Sequence, residues 1–398
     1  MISSAQIFEV VRLLQEARRP IFIFGAGMRN YAQEALALAR SLGVPIATTW
    51  GAVDLVNYDD PLMAGAFGTH GTRAANFAVQ NSDFIIALGS RLDTKATGMP
   101  KDFARGATIA MVDVDRAEID KFTKLGRTID IGICADAGEF IEALHEITSA
   151  LRTHDLNNHT WDHWRNWPLK IADWRKRYDT PTVTWPGINP YELMKEIGKY
   201  TTKEDIICSD TGTALGYLMQ AFPFKGERFL HAFNMTPMGY GLPAAVGACL
   251  AYAQVDTVSL RRVILITGDG SLMMSLSELA TVARWNLNIK IILLNNGGHA
   301  MCRQTERQWF DGKYVSTDVE SGLGFPDDWE EVAMAFGLHA YVDLRTLFSD
   351  NEPAMHVVDI HPDAYLIPQA RFGAPIEDQE PMLDREEFKQ QMIVETLA

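Results

Sequence analysis

Short apolar, β-branched runs alternate with helix-period stretches through most of the chain. From Ile7 to about Leu151 these runs are PIFIFGAG (20–27), PIATTW (45–50), SDFIIALGS (82–90), ATIAMVDVD (107–115) and TIDIGICAD (128–136). Runs that are apolar in every position belong to strands covered on both faces, and their separation by helical segments predicts a parallel sheet. The first twenty residues, MISSAQIFEVVRLLQEARRP, carry charges inside an amphipathic period, so they predict a helix and no secretion signal. Between about Arg152 and Gly187 the runs stop. Trp161, Trp164, Trp167 and Trp174, spaced by three, three and seven residues, form one helical stripe that predicts a linker helix docked on a core. Pro181, Pro186, Gly187 and Pro190 mark a boundary. From about Asn189 the alternation resumes with DIICSD (205–210), RFLHAF (228–233), RVILITGDG (262–270), IKIILLNN (289–296) and AMHVVDI (354–360). The predicted fold class is α/β, with two doubly wound parallel-sheet domains, 1–151 and 188–398, joined by a linker helix within 152–187. The residues after His361, rich in Pro, Asp and Glu, are expected to lie extended on the surface.

Composition narrows the function. With 398 residues, 47% hydrophobic and 22% charged, the chain can bury two or three domain cores. A formal charge of −15 without a basic run argues against a nucleic-acid or anionic-membrane surface. Cys134, Cys208, Cys249 and Cys302 lie far apart with no C-x-x-C pair, which suggests neither a zinc knuckle nor a disulfide framework and fits a reducing compartment. No uncharged apolar stretch reaches the roughly eighteen residues of a membrane helix. The expectation is a soluble, cytoplasmic protein.

The candidate chemistry sits in the second domain. The run RVILIT stops at Gly268-Asp269-Gly270, twenty-four residues follow, and the run IKIILL then closes at Asn295-Asn296. Ser275 and Glu278 have capping-box spacing, and Leu276, Leu279, Ala280 and Ala283 give a helical stripe. This is a βαβ crossover, whose two strands deliver Asp269 and Asn296 to one carboxyl edge of the sheet, where open α/β sheets bind ligands. One carboxylate and one amide oxygen at such an edge suit Mg²⁺, which keeps positions open for phosphate oxygens. Glycine at 268 and 270 lets backbone amides approach a diphosphate. Asp210, Thr211, Gly212 and Thr213, ending the run DIICSD, form a second phosphate-edge candidate.

On these residues the chain resembles the thiamine-diphosphate-dependent enzymes of the acetolactate synthase-like branch. GDGS followed by NN resembles that family's cofactor signature, and MTPMGYGLPAAVGA (235–248) its loop before the cofactor helix. GTHGTRAANFAVQNSDFIIALGSRLDTKATG (68–98) resembles its central domain, while NNGGHAMCRQTERQWF (295–310) and APIEDQEP (374–381) resemble members found among surface-polysaccharide genes. The resemblance implies thiamine diphosphate and Mg²⁺ as cofactors. Asp269, Asn296 and the carbonyl of Gly298 would hold the metal, with Gly268 beside them, and Gly270 and Ser271 would offer amides to the diphosphate, with Asp210, Gly212 and Thr213 at its second edge. Met238 would lie under the thiazolium ring, the Thr236 carbonyl would accept from the aminopyrimidine, and His299 and Met301 would face the substrate space. Met238, His299 and Met301 are thus the catalytic candidates, and His299 also belongs to the cofactor-binding set. The implied activity is decarboxylation of a small 2-oxo acid with carboligation.

Family members run from a pyrimidine-binding through a central to a diphosphate-binding domain, and this sequence starts at the central one. The expectation is that a separate pyrimidine-domain chain supplies the glutamate that acts on the cofactor ring, in a hetero-oligomer built on a dimer; the alternative is a non-catalytic scaffold or truncated relative. Three departures bear on the site. Acetolactate synthases usually carry Gln-His where Thr213-Ala214 stand. Lys95 replaces the final Arg of their R-F-D-D-R segment and lacks its bidentate fork. Thr305 stands where their acceptor-pocket Trp falls. These point to another acceptor, a keto-sugar or an aldehyde, or to simple decarboxylation. His70 and Arg91 are further candidates at strand ends of the central domain. FGAGMRN (24–30) contains a lone G-x-G, a weak dinucleotide signal that leaves open a structural FAD, as the family's central domain sometimes binds, or a nicotinamide reading. Cys302 has no base that the sequence can pair with it.

Overall fold

The computed structural model of the chain describes residues 2–154, 161, 163–179, 183–255, 261–371 and 373–397. They form two compact units, one of Met1–Pro181 with Ile367–Ala398 and one of Thr182–Leu366. Pro181, one of the predicted boundary residues, lies outside the described residues.

The first unit carries six strands, β1 (Pro20–Phe24), β2 (Ile46–Thr48), β3 (Met63–Ala66), β4 (Phe84–Leu88), β5 (Thr108–Asp113) and β6 (Ile131–Cys134), in the order β3-β2-β1-β4-β5-β6. Every pairing is parallel. Each predicted run yields a strand, and β1 and β4 are buried at all five positions, as a sheet covered on both faces requires. The helix Ser4–Glu16 opens with a capping box between Ser3 and Gln6 and buries Ile7, Val10, Val11 and Leu14.

Two segments belong to this unit that the sequence pattern places elsewhere. The expected linker is part of its core: Trp161, Trp164, Trp167 and Trp174 are all buried there. The helix Asn166–Arg177 is fixed by the Trp174 indole, which packs 5.6 Å from the Phe77 ring and donates to Gln391 at 2.8 Å. The tail from Ile367, expected to lie on the surface, docks on the same unit. Its reason is the helix Arg73–Asn81, buried at every position although four of its residues are polar. Arg73 donates to the Pro381 carbonyl at 2.7 Å, and Asn76 to the Ile376 carbonyl at 2.7 Å. Gln80 donates to the Glu377 carboxylate at 2.6 Å, which Arg105 pairs at 2.7 Å. Asn81 donates to the Gln391 carbonyl at 3.0 Å and accepts from Ile393 at 2.6 Å. Buried polar side chains need partners, and the tail backbone supplies them.

The second unit holds β7 (Ile206–Ser209), β8 (Arg228–Leu230), β9 (Val263–Gly268), β10 (Ile289–Asn295), β11 (His339–Ala340) and β12 (Ala354–Asp359), in the order β11-β12-β10-β9-β7-β8 and again all parallel. From β7 the chain moves outward to β8 and then returns to the other side of β7 for β9. The strand order therefore reverses between β7 and β9, and a crevice opens above their carboxyl ends. Among the described residues no helix is long and apolar enough to cross a membrane.

Asn81→Ala leaves buried backbone groups of the tail without partners. It is expected to lower the unfolding free energy of the first unit by about 2–3 kcal/mol in urea titration; a loss below about 0.5 kcal/mol would show that the docking carries no stability.

Candidate functional site

The crevice between β7 and β9 is organised by two strand-end aspartates. Asp210, just past β7, is buried, and its carboxylate accepts from Thr211 at 2.9 Å, Gly239 at 3.0 Å and Gly241 at 2.8 Å. These bonds fasten the loop 235–241. The backbone of that loop turns through left-handed positions at Thr236 (φ 46°) and Gly239 (φ 80°) before the helix Gly241–Val255 begins. Asp269, just past β9, is also buried. Its Oδ2 accepts from Asn296 at 3.0 Å, Gly297 at 2.6 Å and Gly298 at 3.3 Å, and its Oδ1 from Gly270 at 2.7 Å. Burial holds the Asp269 pKa above the usual carboxylate range, against the pull of those four amides.

β9 and β10 pair in register with Gly268 opposite Leu294, so the two adjacent strands end at one level. Asp269 and Asn296 accordingly line one cavity of about 250 Å³. Gly212, Thr213, Met238 and Gly268 line it too, as do Gly270, Ser271, Gly298, His299 and Met301. Of the predicted cofactor-binding residues Asp210 and Thr236 do not line it; Asp210 acts on the loop that carries Met238. Thr211, Ala214, Ala300 and Cys302 complete the wall. Thr211 belongs to the predicted phosphate edge, whereas Ala300 was not singled out in the sequence, its signal being its place next to His299.

Three helices begin at this cavity, Thr213–Ala221, Asp269–Met273 and Ala300–Trp309, and none has a side-chain cap on its first turn. Their leading amides and dipoles are available to anionic oxygens. The Gly270 amide is the exception, since Asp269 already holds it. A Cβ at Gly212 would meet nothing within 4 Å. At Gly270 a Cβ would come 2.4 Å from His299 Nδ1, a buried nitrogen with no hydrogen-bond partner among the described residues. An orphaned ring nitrogen, uncapped helix starts and one carboxylate beside one amide side chain make a donor set that fits a magnesium diphosphate.

The remaining expectations resolve differently. The Ser275 hydroxyl is buried with no partner among the described residues, and the helix Glu278–Arg284 starts after Ser277 without a side-chain cap, so the predicted capping box does not form. Here the short helix Asp269–Met273 takes up the chain first and shifts the next helix start. Thr305 is exposed, its hydroxyl donating to the Met301 carbonyl at 3.1 Å, and does not line the cavity. Cys302 does line it as an exposed residue, and partial desolvation with the nearby Glu306 carboxylate raises its thiol pKa, against a nucleophilic role. In the first unit, Gly25 and Gly27 serve close packing. A Cβ at 25 would fall 2.1 Å from the Gly89 oxygen, and the Gly27 amide donates to that oxygen at 3.0 Å. Arg91 lies 3.7 Å from Asp93 and 3.8 Å from Glu118.

A parallel-sheet unit with an Asp and an Asn at adjacent strand ends and glycine on either side defines a diphosphate-binding domain of the thiamine type. The family comparisons agree: residues 7–144 match the thiamine pyrophosphate enzyme central domain, and residues 210–358 the thiamine pyrophosphate enzyme C-terminal TPP binding domain. The chain belongs to the thiamine pyrophosphate enzymes, and within them it is similar to acetolactate synthase large subunits. It is 32% identical to that of Cyanidium caldarium over 84% of this chain and 55% of the relative. It is 28% identical to the isozyme 1 large subunit of Escherichia coli strain K12, over 94% of this chain and 64% of the relative. With the chloroplastic acetolactate synthase of Arabidopsis thaliana it shares 31% identity, over 81% and 46%. The chain thus spans about half the length of these relatives.

Two expected outcomes follow from the packing. Gly270→Ala drives a methyl group into the His299 ring and should cost about 1–3 kcal/mol of stability. The double variant with His299→Ala should recover most of it in a thermal-melt cycle, and simple additivity would contradict the clash. Burial, with Lys95 nearby, lowers the His70 pKa from 6.5 to about 4. The folded protein keeps this ring neutral while the unfolded chain protonates it, so its contribution is complete above pH 6.5 and is lost as the pH falls toward 4. His70→Gln should make the fall of unfolding free energy across that window shallower, and an unchanged slope would remove His70 from the acid response.

Proposed function

We propose that the chain is the metal-and-diphosphate half of a thiamine-diphosphate-dependent 2-oxo acid decarboxylase and carboligase. The observation that carries this reading is the shared cavity of Asp269 and Asn296 above the strand-order reversal. Asp269, Asn296 and the Gly298 carbonyl hold Mg²⁺; first-turn amides from Thr213 and Ser271 receive the diphosphate, with Gly212, Gly268 and Gly270 leaving room for it. Met238, on the loop that Asp210 fastens, supports the thiazolium ring, and the Thr236 carbonyl accepts from the aminopyrimidine. When bound, the cofactor would supply a nucleophilic carbon for the keto group of a 2-oxo acid and a cationic ring that takes up the electron pair left as carbon dioxide departs. His299 and Met301 face the substrate, excluding water and placing a ring N–H or lone pair beside it.

The cavity wall contains no glutamate among its described residues. On this reading a pyrimidine-binding domain on a separate polypeptide supplies the proton-transfer group, in a hetero-oligomer built on a dimer. The donor is a small 2-oxo acid, and Lys95 and Thr305 support an acceptor other than that of acetolactate synthase. Four free cysteines, two of them buried, suit a cytoplasmic location.

Calorimetric titration of the full chain with thiamine diphosphate and Mg²⁺ tests the reading. One cofactor is expected per chain, with affinity reduced more than about 100-fold in Asp269→Ala. Pyruvate consumption is expected only after the pyrimidine-domain polypeptide is added. Equal binding by the wild type and Asp269→Ala would overturn the assignment.

A further inference from the structure

The turn that brings Gly298 and His299 to the cavity is held from behind. Gly297 is left-handed (φ 66°), and Gly298 forms an isolated antiparallel bridge with Asp318. The His299 amide donates to the Thr317 carbonyl at 2.8 Å, and a Cβ at Gly298 would come 2.5 Å from that same oxygen. The backbone at 317–318 thus sets where Gly298 and His299 can lie.

That backbone is itself fixed by the helix His299 starts, Ala300–Trp309. Glu306 accepts from the Thr317 hydroxyl at 2.6 Å and from the Val315 amide at 3.2 Å. Arg303 places Nε 3.2 Å from Asp318 Oδ2, with both side chains nearly nine-tenths buried, and its guanidinium lies 4.8 Å from the Tyr314 ring centre. Asp318 also accepts from the Ser321 amide at 2.8 Å. A closed ring results, from 298–299 through the helix to Arg303 and Glu306, across to 315–318, and back to 298–299.

We infer that Arg303, Glu306, Thr317 and Asp318 form a strap that presets the Gly298 carbonyl and His299 for the magnesium diphosphate, an inference that rests on the functional reading above. None of the four lines the cavity. They are positioning residues, acting through the 317–318 backbone. Outer partners of this kind orient the groups that touch a metal and so set its affinity. A pre-formed turn also spares the ligand the ordering cost of closing it.

Thr317→Val removes the hydroxyl at nearly constant shape, Thr317→Ser keeps it, and Arg303→Met keeps the packed stem without the charge. The probes are Mg²⁺ with thiamine diphosphate by calorimetry, Mn²⁺ by paramagnetic resonance, and the melting temperature of the apo chain. Thr317→Val and Arg303→Met should weaken cofactor and Mn²⁺ affinity about tenfold, and Thr317→Ser less than about twofold. The apo melting temperatures should stay within about 4 °C of the wild type. Wild-type affinity in Thr317→Val and Arg303→Met, or Thr317→Ser as weak as Thr317→Val, overturns the strap. Absence of thiamine diphosphate binding by the wild type overturns the functional reading instead.

Discussion

The Asp269 carboxylate, seated among the amides of Gly270, Asn296, Gly297 and Gly298, is the contact on which the site depends. A buried carboxylate is costly, and the amides offset much of that cost only if the 296–298 turn keeps its shape. Asp269 therefore acts twice, as a charge facing the cavity and as the template of the turn beside it. Asp210 repeats the device one strand away, where its carboxylate gathers Thr211, Gly239 and Gly241. Two strand-end acids thus shape the loops on both sides of the crevice, and the reversal of strand order between β7 and β9 opens it.

Much of this was readable from periodicity alone, because a strand covered on both faces must be apolar throughout. RVILIT and IKIILL could hardly be anything else, and the residues that end them fall at the carboxyl edge by the handedness of the crossover. In the two parallel sheets the strands that periodicity missed are β3, Met-Ala-Gly-Ala without a β-branched residue, and the two-residue β11. The Ser275 cap failed because cap spacing is a local signal, and an unforeseen short helix had already begun at Asp269.

The tail shows a different limit. Arg73, Asn76, Gln80 and Asn81 fall on one stripe of their helix, a pattern that reads as a solvated face. It is buried instead, because residues three hundred positions later bring carbonyls and amides that satisfy it. Nothing in the local pattern separates a polar face that meets water from one that meets distant backbone. The same reason hides the strap on Gly298: Arg303 and Glu306 look like ordinary exposed helix positions until 315–318 is folded against them. For Asp210, the strand-end position was legible, but its task, fastening the loop of Met238, depends on where Gly239 and Gly241 return in space.

The central claim is that one cation, gripped between two adjacent strand ends, ties the protein to a diphosphate. A crystal structure of the full chain grown with Mg²⁺ and thiamine diphosphate tests it most directly. The expected result is a metal about 2.0–2.1 Å from oxygens of both Asp269 and Asn296, with diphosphate oxygens completing its shell. A cofactor bound elsewhere, or a metal that touches neither side chain, would contradict it.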